Sequence, residues 1–263
     1  MNSPQIRFDD GAAYETYMGI WSRSVGDRFL SWLAPAPGWR WADVGCGNGA
    51  FSELLVERCA PAELQGIDPA EAQISFARQR MPAAVSVAFH VGDAEALPWA
   101  DDRFDAAVMA LVIFFVPDPA RGVAEMARVV RPGGSVSAYA WDLPGGGFPY
   151  APMFDEMSAM GVAPPGPPSP EASRLENLRS LWQGAGLVDA ATTTIEVQRE
   201  FESFDRYWEI ARTGPRVSAR IAQMGDDELE RLRESLRRRL PVDAQGRLTC
   251  SARCNVIKGR VGA

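Results

Sequence analysis

The stretch Arg40-Trp41-Ala42-Asp43-Val44-Gly45-Cys46-Gly47-Asn48-Gly49 decides how this chain folds. A short apolar run ends in a loop with glycine at alternate positions, and a helical pattern of apolar residues begins at Phe51. The stretch predicts a strand, a tight turn and the start of a helix. Glycine lets the backbone turn sharply and approach a ligand closely. The N–H groups at the start of the helix favour a ligand that is anionic or accepts hydrogen bonds.

Asp43 helps to decide which of two kinds of ligand such a loop would bind. Gly45, Gly47 and Ala50 also satisfy the spacing of the dinucleotide fingerprint. A carboxylate at the end of the strand would repel the pyrophosphate of a dinucleotide. A site that combines N–H donors with an acid suits a zwitterion instead, such as an amino acid with its ammonium and carboxylate groups.

Two later segments extend the pattern. Asp68 ends the next apolar run, in Leu64-Gln65-Gly66-Ile67-Asp68-Pro69, where an acid can accept hydrogen bonds from a ribose diol. Asp68 could also cap a helix that has Pro69 at its first position, and both roles can hold at once. The segment Gly92-Asp93-Ala94-Glu95-Ala96-Leu97-Pro98 follows the third apolar run.

Together, in this order, these elements resemble the class I S-adenosylmethionine (SAM)-dependent methyltransferases. The resemblance is to the small-molecule group that includes the ubiquinone and menaquinone pathway enzymes. It covers residues 10–142 and fades through 143–240. It implies S-adenosyl-L-methionine as cofactor and methyl transfer to a small molecule by in-line displacement, driven mainly by proximity and alignment.

The resemblance also implies a set of cofactor contacts. They are Tyr17, Arg23, Asp43, Gly45, Cys46, Gly47, Asn48, Asp68, Pro69, Gly92, Asp93, Ala94, Ala110 and Leu111. In this interpretation Asp68 binds the ribose, Asp93 accepts from the adenine amino group, and the Ala94 N–H meets a ring nitrogen. Asp93 could instead cap its own loop.

The remaining implied contacts concern the methionine end of the cofactor. Ala110 and Leu111 would contribute backbone carbonyl and apolar contact. Tyr17 would form an aromatic wall beside the sulfonium through cation–π attraction, and Arg23 would pair with the cofactor carboxylate. The alternatives are that Tyr17 packs in the core and that Arg23 is a solvated charge.

The sequence identifies no clear catalytic residue. Asp142 is a possible general base, and the single histidine, His90, is interpreted as a residue on a strand face. Two other functions stay open. A non-enzymatic SAM-binding regulator would keep the cofactor motifs and lose the acceptor pocket. Asp43 opposes an NAD-dependent oxidoreductase. The scarcity of lysine opposes it too, because the chain has a single lysine, Lys258, and therefore lacks a Tyr–Lys catalytic pair near a mid-chain strand.

Alternating strand and helix patterns predict the fold. Strands are expected at 39–45, 63–68, 85–91, 104–113, 135–141, 189–201 and 247–258, with helices between most of them. Such alternation gives parallel strands with crossover helices. We predict an α/β, Rossmann-like, doubly wound and mostly parallel seven-stranded sheet with helical cap insertions. One methyltransferase domain would span 1–263, with an N-terminal helical segment at 9–33, the SAM-binding core at 39–142 and caps at 143–171 and 203–240.

Composition limits the partners. A net charge of −7 argues against a nucleic-acid surface, and 46% hydrophobic residues suffice for a sizeable core. The chain shows neither an 18-residue apolar run nor a signal-peptide pattern, so we expect a cytoplasmic protein without a membrane span. Its four cysteines are expected to be reduced thiols, and no metal site is expected. The sequence predicts a small-molecule substrate and gives no oligomeric state.

Overall fold

One seven-stranded sheet forms the centre of the computed structural model, which describes residues 15–81 and 86–262. The strands are β1 (Arg40–Val44), β2 (Glu63–Asp68), β3 (Val87–Val91), β4 (Phe104–Ala110), β5 (Val130–Trp141), β6 (Val188–Phe201) and β7 (Leu248–Arg260). Their order is β3-β2-β1-β4-β5-β7-β6, and β7 runs antiparallel to β5 and β6 while the other pairs are parallel. The predicted α/β fold with a mostly parallel sheet is confirmed.

Helices follow most of the strands. They are α1 (Ile20–Leu33), α2 (Ala50–Cys59), α3 (Glu71–Arg80), α4 (Pro119–Val129), α5 (Ala151–Ala159), α6 (Leu175–Gly184), α7 (Phe204–Ala211), α8 (Ser218–Ile221) and α9 (Asp226–Arg239). Short 3-10 turns occur at Ile113–Phe115 and Pro170–Ser173, and a π-helical turn, Glu15–Gly19, leads directly into α1. The first part of the predicted segment 9–33, including Tyr14, lies outside the described residues.

Local sequence explains where these helices start and which side they bury. In α1 the residues Trp21, Val25 and Phe29 recur every fourth position and are buried, as an amphipathic helix requires. At the start of α4 the Asp118 side chain accepts a hydrogen bond from the Arg121 N–H at 3.1 Å, and Pro119 occupies the first turn. This is the capping chemistry that favours a helix start.

Strand β4 is shorter than predicted. The apolar run to residue 113 predicted a continuous strand, but β4 ends at Ala110. Leu111 has φ +63°, in the left-handed region, so the chain leaves the sheet there and enters the 3-10 turn. This part of the prediction is wrong because apolar character alone does not encode a backbone turn. The turn carries the chain across the carboxyl edge of the sheet.

Two insertions project from the core, as α5 after β5 and as the segment α7 to α9 between β6 and β7. Helices α5 and α9 contact each other through charged groups. Arg239 pairs with Asp155 at 2.6 Å and with Glu156 at 3.3 Å, and Ser235 donates to Glu156 at 2.5 Å. The first insertion also contacts the N-terminal segment, because the Tyr150 hydroxyl donates to the Tyr17 carbonyl at 2.8 Å.

The described helices include none with the length and apolar character needed to cross a bilayer. All four cysteines are buried free thiols. Within residues 15–81 and 86–262, no group of three or more His, Cys, Asp or Glu side chains could hold a metal ion.

Candidate active site

The glycine loop after β1 is tied to the end of the neighbouring strand. The N–H groups of Gly45 and Cys46 both donate to the Ile67 carbonyl, at 2.8 and 3.0 Å. Gly45 and Gly47 have φ values of +78° and +52°. The loop therefore turns sharply at the carboxyl edge of β1 and β2, where parallel sheets bind ligands.

Gly45 and Gly47 serve different purposes. A Cβ atom at Gly45 would collide with the side chain of Val112, so this glycine permits close packing of the loop on the chain after β4. A Cβ atom at Gly47 would have the Gln73 Oε1 as its nearest neighbour, at 3.8 Å. The space above Gly47 is open, and a ligand could approach the backbone there.

Asp43 is a fully buried carboxylate beside this loop. Its Oδ2 accepts from the Ser52 hydroxyl at 2.6 Å, while no donor in the described part of the chain reaches Oδ1. Burial raises the pKa of Asp43 to about 7; the hydrogen bond from Ser52 opposes this rise and the charge of Asp68 adds to it. A cationic group placed against Oδ1 would stabilise the charged form.

Asp68 joins the loop to the start of α3. One carboxylate oxygen accepts from the Gly47 N–H at 3.0 Å and the other from the Ala70 N–H at 2.9 Å. Burial raises the pKa of Asp68, and these two hydrogen bonds oppose the rise. Helix α3 begins at Glu71 with Ala70 at its N-cap, so the interpretation with Asp68 as N-cap and Pro69 at the first helical position is wrong. Pro69 is exposed.

These elements surround a cavity of about 680 Å³, which we call the loop cavity. Eight of the predicted cofactor contacts line it, namely Asp43, Gly45, Cys46, Gly47, Asn48, Asp68, Ala110 and Leu111. Asn48 brings a second unpaired group, because its buried Nδ2 has no acceptor among the described residues.

Sequence reasoning missed other residues of this lining. They are Ser22, Ala50, Phe51, Gln73, Val112, Phe115 and Tyr139. Val112 and Phe115 follow Leu111 directly and Gln73 lies just beyond Asp68, so nearness to predicted contacts could have indicated them. Tyr139 lies inside β5, and its sequence neighbourhood carries no signal for it.

Gly92, Asp93 and Ala94 lie beside the loop cavity without lining it. The Gly92 N–H donates to the Asp68 carbonyl at 3.1 Å, which places this turn at the same edge of the sheet. Asp93 is exposed, and its carboxylate accepts from the Glu95 N–H at 2.9 Å. The loop-capping alternative for Asp93 is therefore observed.

Arg23 and Tyr17 do not line the loop cavity either. Arg23 pairs with Glu57 at 2.5 Å and its side chain is 57% exposed, so its contact with the cofactor carboxylate stays a prediction. Tyr17 is buried, and its ring stacks on that of Tyr150 with the centroids 4.2 Å apart.

A second, more apolar cavity of about 460 Å³ lies next to the first. Its lining is Tyr17, Met18, Leu111, Phe114, Phe115, Trp141, Leu143, Phe148, Pro215 and Arg216. We call it the apolar cavity. Leu111 and Phe115 line both cavities, so the chain after β4 forms a wall that the two share. Both insertions and the N-terminal segment contribute to the remaining walls.

Asp142, the possible general base, and the single histidine, His90, both lie elsewhere. Asp142 pairs with Arg253 at 2.7 Å and accepts from the Gly145 N–H at 3.1 Å. His90 lies on β3, with its Nε2 2.6 Å from the Gln65 Oε1. Neither residue lines the loop cavity or the apolar cavity.

Comparison with known proteins agrees with this geometry. Residues 42–138, which contain Asp43, the glycine loop, Asp68 and Asp93, match the family model described as a methyltransferase domain. Residues 42–138 form a methyltransferase domain of the class I SAM-dependent type. The matched residues stop before the first insertion.

Relatives share this methyltransferase domain over part of their length. A malonyl-[acyl-carrier protein] O-methyltransferase from Methylococcus capsulatus is 38% identical over 132 residues, which cover 48% of this chain and 48% of that protein. An uncharacterized methyltransferase from Mycobacterium tuberculosis is 34% identical over 131 residues, or 49% of this chain and 51% of its own length. The chain thus spans about half the length of these curated relatives.

Solved structures share the fold of the methyltransferase domain at low identity. Phosphoethanolamine N-methyltransferase 2 of Haemonchus contortus, in complex with S-adenosyl-L-methionine, is 17% identical with a TM-score of 0.60, covering 100% of this chain and 61% of that one. The [4+2]-cyclase SpnF is 19% identical with a TM-score of 0.55, covering 92% and 81%. Likeness at this level concerns the fold alone.

Proposed function

We propose that this protein binds SAM in the loop cavity and transfers its methyl group to an acceptor in the apolar cavity. The observation that carries the proposal is the shared wall at Leu111 and Phe115. The loop cavity, which contains the polar side chains of Asp43, Asn48 and Asp68, and the apolar cavity under the insertions meet there. Two ligands held on either side of this wall would have their reacting ends close together.

Two unpaired buried groups support SAM as the occupant of the loop cavity. Asp43 Oδ1 has no donor and Asn48 Nδ2 has no acceptor among the described residues. Buried polar groups without partners are costly, and a ligand can supply the missing partners. The amino-acid end of SAM offers an ammonium for Asp43 and a carboxylate for Asn48. The open space above Gly47 lets this end approach the backbone.

Asp68 and Asp93 would hold the nucleoside end. Both oxygens of Asp68 already accept a backbone hydrogen bond, but each carboxylate oxygen has a further lone pair for a ribose hydroxyl. Asp93 lies on the adjacent turn and is exposed, so it is accessible to an adenine amino group. Arg23 has no role in this proposal, because it already forms an ion pair with Glu57.

Bound SAM would supply an electrophilic methyl group on its sulfonium, and S-adenosylhomocysteine would leave as a neutral thioether when the acceptor attacks in line. The chain has to hold and align the acceptor and to exclude water, effects that can remove about 7–11 kcal/mol of a barrier. The described lining of the apolar cavity contains no Asp, Glu, His or Lys side chain. Since no such base faces the acceptor, an acceptor that is already ionised or strongly nucleophilic fits best.

A carboxylate bound to a carrier protein is a second candidate acceptor. Two relatives, at 38% and 35% identity, are named malonyl-[acyl-carrier protein] O-methyltransferases. A carboxylate is ionised at neutral pH and needs no base to attack a methyl group. The acceptor panel used to test this protein should therefore contain malonyl-acyl carrier protein beside free metabolites.

Calorimetry followed by turnover tests the proposal. We expect SAM and S-adenosylhomocysteine to bind and NAD not to bind, and we expect radiolabel to pass from SAM to at least one acceptor. Binding of NAD without binding of SAM would overturn the assignment. Tight binding of SAM with no transfer to any acceptor would favour a SAM-binding regulator.

A further inference from the structure

Arg216 is a charged residue in the lining of the apolar cavity. Its Nε donates to the Pro165 carbonyl at 2.7 Å, and its guanidinium lies over the ring of Phe154 at 4.4 Å. Among the described residues no carboxylate forms an ion pair with it. Burial lowers the pKa of Arg216, and the nearby Tyr17 opposes this. The cavity therefore contains a cation that is held in place and has no counter-ion among the described residues.

We propose that Arg216 binds a carboxylate of the methyl acceptor, and that the acceptor is a small carboxylic acid with an apolar body. This inference rests on the proposed function. A guanidinium presents five N–H donors in a rigid fork that matches a carboxylate. The Arg216 Nε–H already donates to the Pro165 carbonyl, and the contact with the Phe154 ring fixes the orientation of the guanidinium plane. Its terminal nitrogens have no acceptor in the described part of the chain and can bind both oxygens of a carboxylate.

The rest of the lining determines the body of the acceptor. Apart from Arg216 and the hydroxyl of Tyr17, the lining side chains are apolar, and aromatic rings at Phe114, Trp141 and Phe148 dominate them. A hydrocarbon or aromatic body would be desolvated there at little cost, because apolar surface gains from leaving water.

The charge balance favours a carboxylate over a phosphate group. One guanidinium neutralises one negative charge, and the described lining contains no second cation. A phosphate monoester carries close to two negative charges at neutral pH. Its second charge would be buried without a partner, which is strongly unfavourable.

The test compares acids with their uncharged amides. The protein saturated with S-adenosylhomocysteine is titrated with 3-phenylpropionate and octanoate and with the corresponding amides. We expect the acids to bind about 10- to 100-fold more tightly than their amides. Added NaCl should weaken binding of the acids and leave binding of the amides nearly unchanged. If no acid binds more tightly than its amide, the inference is wrong.

Variants assign the effect to Arg216. Arg216→Met should abolish the preference for acids, and Arg216→Lys should retain part of it. Arg220→Met is the matched control, since Arg220 lies on α8, is exposed and lines neither cavity. Acid preference that survives in Arg216→Met would overturn the inference. If Arg216→Met does not fold, the Lys variant and the salt dependence of the unaltered protein still decide the question.

The affinity for S-adenosylhomocysteine is measured first for every variant. It should stay within about twofold of the parent, because Arg216 does not line the loop cavity. If the parent protein fails to bind S-adenosylhomocysteine, the proposed function is at fault. If it binds S-adenosylhomocysteine and methylates an uncharged acceptor while ignoring acids, only the role of Arg216 is wrong.

Discussion

At the scale of single residues, Asp43 shows how burial can prepare a group for a charged ligand. Its pKa of about 7 means that the carboxylate binds a proton in mildly acidic solution when no ligand is present. An ammonium placed against Oδ1 would favour the charged form, so the pKa should fall in the complex. Binding of a cationic ligand below pH 7 must then release a proton.

This linkage predicts that the affinity for S-adenosylhomocysteine rises with pH. The affinity should increase by up to about tenfold per pH unit between pH 5.5 and 6.5 and level off above pH 7. The ammonium of the ligand stays protonated to about pH 8 and does not add to the slope in this window. Calorimetry across pH 5.5–8 measures it. Asp43→Asn should bind more weakly and show a flat profile, and an unchanged slope in this variant would exclude Asp43 as its source.

Asp68 combines a structural and a proposed binding role, which two substitutions can separate. Asp68→Ala loses the hydrogen bonds from Gly47 and Ala70, so we expect a fall of about 1–3 kcal/mol in the free energy of unfolding. It should also weaken binding of S-adenosylhomocysteine about 10- to 150-fold. Denaturant unfolding and calorimetry give the two numbers.

Asp68→Asn is the matched control for Asp68→Ala. Its remaining oxygen can keep one backbone hydrogen bond, so its stability should lie closer to that of the parent. Its affinity should still fall, because a neutral amide accepts more weakly from ribose hydroxyls than a carboxylate does. Parent-like affinity in both variants would show that the ribose binds elsewhere.

At the scale of elements, the glycine loop divides its tasks between packing and ligand access. Gly45→Ala should lower the free energy of unfolding by about 2–4 kcal/mol, since the new methyl group collides with Val112 at a positive φ. Gly47→Ala has room and should cost about 1 kcal/mol of strain. It should nevertheless reduce the affinity for S-adenosylhomocysteine more than tenfold, because the methyl group enters the loop cavity. Intact affinity in Gly47→Ala would show that ligand does not approach this backbone.

The elements that could be predicted from the sequence are those with a local signal. Strand β1, the glycine loop and the turn at Asp68 are encoded by neighbouring residues, and the structure brings these segments to one edge of the sheet. Arg23 was predicted to contact the cofactor because of a family resemblance, whereas in the structure it forms an ion pair with Glu57 on α2. The predicted cap at 203–240 contains Arg216, but nothing in the sequence marked this residue itself, because its place in the apolar cavity depends on packing between segments that are distant in sequence. Residue spacing and hydrophobic periodicity do not encode long-range packing of this kind.

At the scale of the whole molecule, three separate parts of the chain converge over the shared wall. The N-terminal segment is held by its backbone, since the Tyr17 carbonyl accepts from Tyr150 and from Arg199, at 2.8 and 3.4 Å. The two insertions are held together by Arg239 and its partners Asp155 and Glu156. A ligand in the cavities would contact the N-terminal segment and both insertions, and would thereby connect these three parts.

This arrangement predicts that ligand binding slows hydrogen exchange in residues 15–25 and 143–170. Segments that cover a pocket usually belong to the less stable part of a fold, and contacts with ligand remove their opening motions. Exchange should be followed by mass spectrometry with and without S-adenosylhomocysteine, with β1 and β4 as internal references. Arg239→Ala should speed exchange in α5 severalfold while leaving the affinity for S-adenosylhomocysteine unchanged, because exposed ion pairs contribute about 0–1 kcal/mol and Arg239 lines neither cavity. Equal exchange in 15–25 and 143–170 with and without ligand would mean that these segments do not close over the site, and that acceptors enter a cavity formed in advance.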